Sequence, residues 1–215
     1  MLRNRAEAGE RLAKLLTKYQ QANSIILGLI PGGVEVGYHA AKKLDVNYSI
    51  LLTARLNYPH NPEAAFGALA EDGSRYIADI AQKDLVDETI EDIVNDQMKE
   101  IIRLKDELRN GKPLPDLKGK KVILINDGIV TAASLQAAIK LCQNQEAEEI
   151  VVAAPVADKN IVTLIESLVN DVIVLESYRN CKSIPAGYQE YSELSEQDLK
   201  HFWERWNMEH HGNID

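Results

Sequence analysis

An α/β fold, an open and mostly parallel sheet with helices on both faces, is predicted by three observations on the sequence. Short runs rich in Ile, Val and Leu occupy residues 24–30, 48–54, 121–125, 149–154 and 171–175, with the length and continuity of strands buried on both faces. Helical patterns lie between them, over 33–44, 82–110, 131–143 and 159–169, an alternation that implies parallel strands joined by crossover helices. The third observation is bulk: 215 residues, 45% hydrophobic and 27% charged, can bury one substantial core, so a single domain over 1–215 is expected.

Taken in order, the chain opens with an amphipathic helix over 5–20, in which Ala8, Leu12, Leu15, Leu16 and Tyr19 recur at helical spacing. Glu7 and Glu10 argue against an organelle transit peptide, which is poor in acids. The helix over 82–110 is the longest, with Val86, Ile90, Ile93, Val94, Ile101, Leu104 and Leu108 in one stripe. Gly111-Lys-Pro-Leu-Pro115 ends it, a Gly followed by prolines. A final helix over 195–208 starts at the capping-box pattern Ser195-Glu-Gln-Asp198. Its aromatic face, Phe202, Trp203 and Trp206, is expected to dock on the core or on a partner subunit, and with the stripe over 82–110 it leaves room for a homodimer. The segment 209–215 reads as a solvated tail, because the adjacent His210 and His211 point different ways on a helix and tails fray.

Composition excludes some function classes. A formal net charge of -9 and a pI near 5.1 argue against a general nucleic-acid binder, whose affinity rests on Lys and Arg facing phosphates. No apolar run approaches the ~20 residues of a membrane span, so a cytoplasmic protein without a membrane partner is expected. Cys142 and Cys181 are too few for a disulfide framework and read as buried spectator thiols in a reducing compartment.

Open parallel sheets bind ligands outside the carboxyl ends of their strands, which directs attention to three loops, 30–34, 55–61 and 126–134. The third is the richest in suitable groups. Main-chain N–H groups at the start of the helix from Thr131 would form an anion site, to which Thr131 and Ser134 add hydroxyl donors. Asn126 and Asp127, at the end of the strand, carry acceptors suited to vicinal sugar hydroxyls. The bland alternative is that Thr131 N-caps the helix and Asp127 makes a turn. Gly32 and Gly33, in a second Gly-rich loop facing the same edge, shift the balance toward a small-molecule phosphate ligand.

Arg55 follows the second strand and could present a guanidinium to a phosphate or acidic substrate; the competing role is an exposed strand-end charge. His60 reads as a loop residue, and Glu71-Asp-Gly73 as a hairpin turn rather than paired carboxylates. No Gly-x-Gly-x-x-Gly follows the first strand, which argues against a dinucleotide oxidoreductase.

Five blocks, Arg3-Asn-Arg-Ala-Glu-Ala-Gly9, Pro31-Gly-Gly-Val-Glu-Val36, Asn61-Pro-Glu-Ala-Ala-Phe-Gly-Ala-Leu-Ala-Glu-Asp-Gly73, Asn126 to Ser134 and Tyr188-Gln-Glu-Tyr191, resemble in order those of the type I phosphoribosyltransferases, and more closely the predicted phosphoribosyltransferases of unassigned substrate. The resemblance implies that Asn126 and Asp127 hold the ribose hydroxyls of phosphoribosyl pyrophosphate. Gly128, Ile129, Val130, Thr131, Ala132, Ala133 and Ser134 would wrap its 5-phosphate, with Gly32 and Gly33 near pyrophosphate. Mg²⁺ would arrive with the donor rather than in a protein cage, and a hood within parts of 56–85 and the C-terminal segment would choose the acceptor.

The family's Asp-Asp-Gly-Ile-Ala-Thr-Gly-Ala-Thr departs here at Asn126, Val130 and Ala132, and its Pro-Arg-Gly-Gly falls on Ile30-Pro31-Gly32-Gly33, which removes an arginine. An amide for a carboxylate at 126 costs about tenfold in affinity, since a charged hydrogen bond contributes about twice a neutral one. A Cβ at 132 would cost roughly 1 to 2 kcal/mol if that backbone must be left-handed. With the bidentate arginine also gone, donor binding is expected to fall by on the order of a thousandfold. Two functions follow: a phosphoribosyltransferase-like enzyme with weak or lost transfer, or a noncatalytic nucleotide- or partner-binding regulator on the same fold.

Overall fold

The structure, a computed structural model, describes residues 1–21, 23–181 and 183–211. The chain runs α1 (Arg5–Leu15), β1 (Ser24–Leu29), α2 (Gly32–Leu44), β2 (Asn47–Leu51), β3 (Thr53–Tyr58), β4 (Asn61–Ala70), β5 (Arg75–Ile77), α3 (Ala81–Asp84), α4 (Asp87–Arg109), β6 (Lys121–Ile125), α5 (Ala133–Asn144), β7 (Glu149–Asp158), α6 (Lys159–Glu166), β8 (Asp171–Tyr178) and α7 (Glu196–His211).

Five strands pair in the order β2-β1-β6-β7-β8, every neighbour parallel. The expected α/β sheet is present, and its side chains alternate between two cores as strand geometry requires. Ile26, Ile123, Ile125, Val151 and Ala153 face a core shared with α1, α2 and α7. Ile25, Leu27, Val122, Leu124 and Val152 face a second core shared with α5 and α6. From β1 the chain steps to β2 on one side and later returns to β6 on the other, so the strand order reverses between β1 and β6. At such a switch point the loops after two neighbouring strands diverge and leave a crevice.

The apolar run over 48–54 is two strands, not one. The chain leaves the parallel sheet at Leu52, whose N–H donates to Glu71 at 3.1 Å, and enters an antiparallel sheet, β3-β4-β5, that the sequence pattern did not predict. This sheet packs against α4 and α5. Arg109, at the end of α4 and fully buried, ties it to the core by donating from Nη1 to the Ile50 carbonyl at 3.1 Å and pairing through Nη2 with Glu71. Gly73 forms the turn between β4 and β5 at φ 90°, as the Asp-Gly reading expects.

Other boundaries move as well. The first helix ends at Leu15, which is exposed, and a short 3-10 turn follows over Thr17–Tyr19. The pattern over 82–110 divides into α3 and α4 around an exposed Val86, which therefore leaves the stripe. The capping box at Ser195 forms, with Ser195 N–H donating to Asp198 Oδ2 at 2.9 Å and Asp198 N–H to Ser195 Oγ at 3.2 Å. Trp203 and Trp206 are buried against the chain's own core, Trp206 lying 5.3 Å from the Tyr48 ring, so the aromatic face gives no ground for a dimer. The expected tail at 209–215 is helical as far as His211; residues 212–215 lie outside the described residues. His210 stacks on Trp206 at 3.6 Å, and Glu209 pairs with Lys42. Cys142 is buried, its thiol pushed up to about 12 by burial, whereas Cys181 is half-buried, contrary to expectation.

Candidate functional site

The loops after β1 and β6 meet at the switch point because glycines let them approach. A Cβ on Gly33 would fall 2.2 Å from the Ile125 carbonyl oxygen, and one on Gly32 would fall 1.8 Å from Oδ2 of Asp127. The start of α2 is thus pressed against the end of β6, with the Asp127 carboxylate filling the space that a side chain at 32 would need. Gly32 and Gly33 are at the site, though close packing accounts for both.

The loop after β6 divides into two halves of different character. In the first half, Ile129 extends the sheet: its N–H donates to Val156 at 2.8 Å and its carbonyl accepts from Asp158 at 2.8 Å, alongside a β7 that runs four residues further than the apolar run predicted. The Ile129 N–H is therefore not available to a phosphate. Gly128 is covered by Ile184, whose side chain lies 2.8 Å from where its Cβ would be. The Asn126 side-chain oxygen accepts from the Asp127 N–H at 2.9 Å.

Asp127 is also less open than expected. It is 4% exposed. Arg5, from the first turn of α1, donates from Nε to its Oδ2 at 2.9 Å, and the Tyr191 hydroxyl donates to the same oxygen at 3.1 Å. Tyr188 donates to the Asp127 carbonyl at 2.7 Å. These partners belong to a strap made from the first residues and the segment before α7, in which Leu2 N–H donates to Gly187 and Gln189 N–H to Leu2. A cleft of about 450 Å³ opens beside the pair, lined by Asn4, Arg5, Glu35, Gln189 and Tyr191 among others.

Burial works against the Arg5 charge, but attraction to Asp127 and the hydrogen bond to it prevail, and the guanidinium pKa is raised. Burial raises the Glu35 carboxyl against the pull of Arg5, 3.6 Å away, and raises the Tyr191 hydroxyl. Magnitudes decide whether a ligand could pull Arg5 off. Removing one partner of a buried pair costs about 3 to 5 kcal/mol. A sugar hydroxyl donating to the freed carboxylate returns about 1.5 to 3 kcal/mol. One hydroxyl alone would therefore not offset the loss of the Arg5–Asp127 pair.

The second half of the loop is open. Ala132 precedes α5 with φ -101° and ψ -14°, and no side chain caps the helix, so the reading of Thr131 as N-cap does not hold. Nor is the backbone at 132 left-handed, which removes one expected penalty. Among the described residues, the main-chain N–H groups of Val130, Thr131, Ala132, Ala133, Ser134 and Leu135 donate to no protein acceptor; the first helical bond of this turn runs from Gln136 to Ala132 at 2.8 Å. Thr131 is exposed and Ala133 and Ser134 are half-buried. Consecutive free donors at the positive end of a helix dipole are groups that can donate to an anion.

Arg55 is not part of this arrangement. It lies on β3 opposite Ala68, exposed, and its Nη2 donates to the Glu63 carbonyl at 3.0 Å, which is the strand-charge role rather than the ligand role. His60 lies in the turn between β3 and β4. No group of three His, Cys, Asp or Glu able to hold a metal occurs among the described residues, and the one buried carboxylate of the loop is engaged by Arg5. No helix of the described residues is long and apolar enough to cross a membrane.

Two Mycobacterium tuberculosis proteins, from strains CDC 1551 / Oshkosh and ATCC 25618 / H37Rv and provisionally named phosphoribosyl transferases, are 29% identical to this chain over 204 residues, 94% of it. That match takes in 46% of each of them, so the chain spans about half the length of these curated relatives. The crystal structure of the protein TT1426 from Thermus thermophilus superposes with a TM-score of 0.81 at 27% identity, covering 96% of this chain and 99% of that one. A hypoxanthine phosphoribosyltransferase from Staphylococcus aureus shares the fold at a TM-score of 0.51 and 13% identity, over 82% of this chain and 73% of its own. Residues 2–189, which take in both sides of the strap's bridge between Leu2 and Tyr188, match the phosphoribosyl transferase domain, and the chain belongs to that family.

Proposed function

We propose that this chain binds a ribose 5-phosphate group and acts as a phosphoribosyltransferase with a weakened grip on the diphosphate donor. The observation that carries the reading is the run of N–H groups from Val130 to Leu135, without acceptors among the described residues, at the start of α5. The 5-phosphate would rest there, assisted by the hydroxyls of Thr131 and Ser134. Ribose would lie toward Asp127 and Asn126, and diphosphate toward Gly32 and Gly33. Catalysis of this transfer needs positioning and charge stabilisation more than a nucleophile. The expected penalty for donor binding is smaller than the loop's sequence alone implies. The backbone at 132 contributes nothing to it, while Asn126 and the missing arginine at 31 still do. Mg²⁺, if used, would come on the diphosphate.

A second reading, a noncatalytic nucleotide-binding regulator, is favoured by one specific contact. The Asp127 carboxylate lies against Gly32, where diphosphate would approach, and Pro31 offers no cation to offset it. Calorimetric titration separates the two. Micromolar binding of phosphoribosyl pyrophosphate with Mg²⁺, together with nucleotide or pyrophosphate release on adding acceptor bases, supports the transferase. Tight binding of nucleoside monophosphates with none of the diphosphate supports the regulator. If neither those ligands nor inorganic phosphate binds, the anion site itself is refuted.

A further inference from the structure

Resting on the reading that a ribose phosphate binds after β6, we propose that Arg5 and Tyr191 are positioning residues: they hold Oδ2 of Asp127 so that Oδ1 meets the sugar as a fixed acceptor. Two parts of the chain converge on that one oxygen, Arg5 Nε donating to it at 2.9 Å and Tyr191 at 3.1 Å, while Gly32 lies against the carboxylate as a whole, a Cβ there falling 1.8 Å from Oδ2 and 2.6 Å from Oδ1. Arg5 is itself fixed, its Nη1 donating to the Ser192 carbonyl at 2.9 Å and its Cζ lying 4.1 Å from the Tyr191 ring centroid. Oδ1 accepts no hydrogen bond among the described residues and is not among the sealed, unpartnered atoms of the interior.

A carboxylate able to rotate about its Cβ–Cγ bond would have to be frozen by the ligand, at a cost in entropy. Here the freezing is done in advance, and the free oxygen is aimed by contacts the ligand does not disturb. Because the pair outlasts a hydroxyl's competition, Arg5 orients Asp127 and is not a plug to be displaced. The ligand feature read in this way is a ribose hydroxyl, whereas the open turn at Val130 to Leu135 reads the phosphate alone.

The test is calorimetric titration of the full chain with ribose 5-phosphate, 2-deoxyribose 5-phosphate and inorganic phosphate. The wild type should prefer ribose 5-phosphate. Tyr191→Phe and Arg5→Gln should each weaken it about tenfold or more, the worth of a hydrogen bond to a charged group, and abolish the preference over the deoxy sugar. Inorganic phosphate should stay within about twofold in the same variants, and Arg5→Lys should restore part of the loss. A merely structural role would weaken all three ligands alike; that result, or tighter ribose 5-phosphate binding by Tyr191→Phe, overturns the proposal. Should the Arg5 variants fail to fold, Tyr191→Phe decides alone, since it keeps the ring and removes one O–H. Wild-type binding of phosphate with no ribose preference sinks the positioning role and spares the anion site, while absence of binding by all three sinks both.

Discussion

Replacing Arg109 by Met should expose how the antiparallel sheet is fastened to the parallel one. Arg109 and Glu71 are 0% and 7% exposed at their side chains, and each also bonds the backbone where the chain changes sheets, Arg109 to the Ile50 carbonyl and Glu71 to the Leu52 N–H. Met fills most of the volume but leaves Glu71 as a buried charge, which should destabilise by about 3 to 5 kcal/mol. Glu71→Leu should cost about the same, because a buried guanidinium that lacks a partner at Nε among the described residues would lose its counter-ion. The double replacement removes both charges and gives up two hydrogen bonds to backbone, roughly 2 kcal/mol. A coupling of at least about 3 kcal/mol is therefore expected from a double-mutant cycle.

Urea unfolding followed by tryptophan fluorescence and far-UV circular dichroism would measure it, at pH 7.5 and 5.5. Burial raises the Glu71 carboxyl above its ordinary value although Arg109 opposes this. A group whose folded pKa is raised contributes most below its unfolded pKa and loses that contribution as pH rises through the folded value. Removing Arg109 raises the folded value further, so Arg109→Met should be more destabilised at pH 7.5 than at pH 5.5. Additive single mutants, or equal losses at the two pH values, would show that the pair does not fasten the sheets.

Three more outcomes are expected. Gly33→Ala, whose Cβ would fall 2.2 Å from the Ile125 carbonyl oxygen, should force α2 away from β6 and destabilise by about 1 to 3 kcal/mol in the same assay. Asn126→Asp should strengthen binding of phosphoribosyl pyrophosphate about tenfold by calorimetry, whereas Ala132→Gly should change it by less than about twofold, because the backbone at 132 is already right-handed. The hydrogen bond from Lys42 holds the Glu209 carboxyl down at about 2, so its contribution is present above the unfolded carboxylate pKa and lost as pH falls toward the folded one. Glu209→Gln should flatten that acid loss between pH 4.5 and 2, by less than about 1 kcal/mol given its partly exposed setting.

The parallel sheet was legible because strands buried on both faces leave an apolar run, as β1, β6 and β7 do, whereas β8 at the edge is only half-buried. The antiparallel sheet left no such trace. Its central strand, Asn61–Ala70, carries Pro62, Gly67 and four alanines, a composition with poor strand propensity. The reason is packing: a Cβ on Gly67 would lie 2.3 Å from the Tyr76 carbonyl oxygen, so close approach selects against the branched side chains that normally announce a strand. The split at Leu52 was hidden for a related reason, since the partners of its backbone, Glu71 and through it Arg109, lie 19 and 57 residues along the chain.

At the site, local sequence marked the loop but not what holds it. Asp127 stood out as a lone acid at a strand end, whereas Arg5, Tyr188 and Tyr191 reach it from 122, 61 and 64 residues away. A signal did exist at the near end. Arg5 precedes Ala8 and Leu12 at helical spacing, on the face of α1 that is buried, and a guanidinium there requires an anion within the protein. Its two acidic neighbours in the structure are Asp127 at 2.9 Å and Glu35 at 3.6 Å. Read from Arg5 inward, the buried cation leads to the same carboxylate that the loop motif marks from the other side. One oxygen of Asp127 thereby ties the start of α1 to the segment before α7.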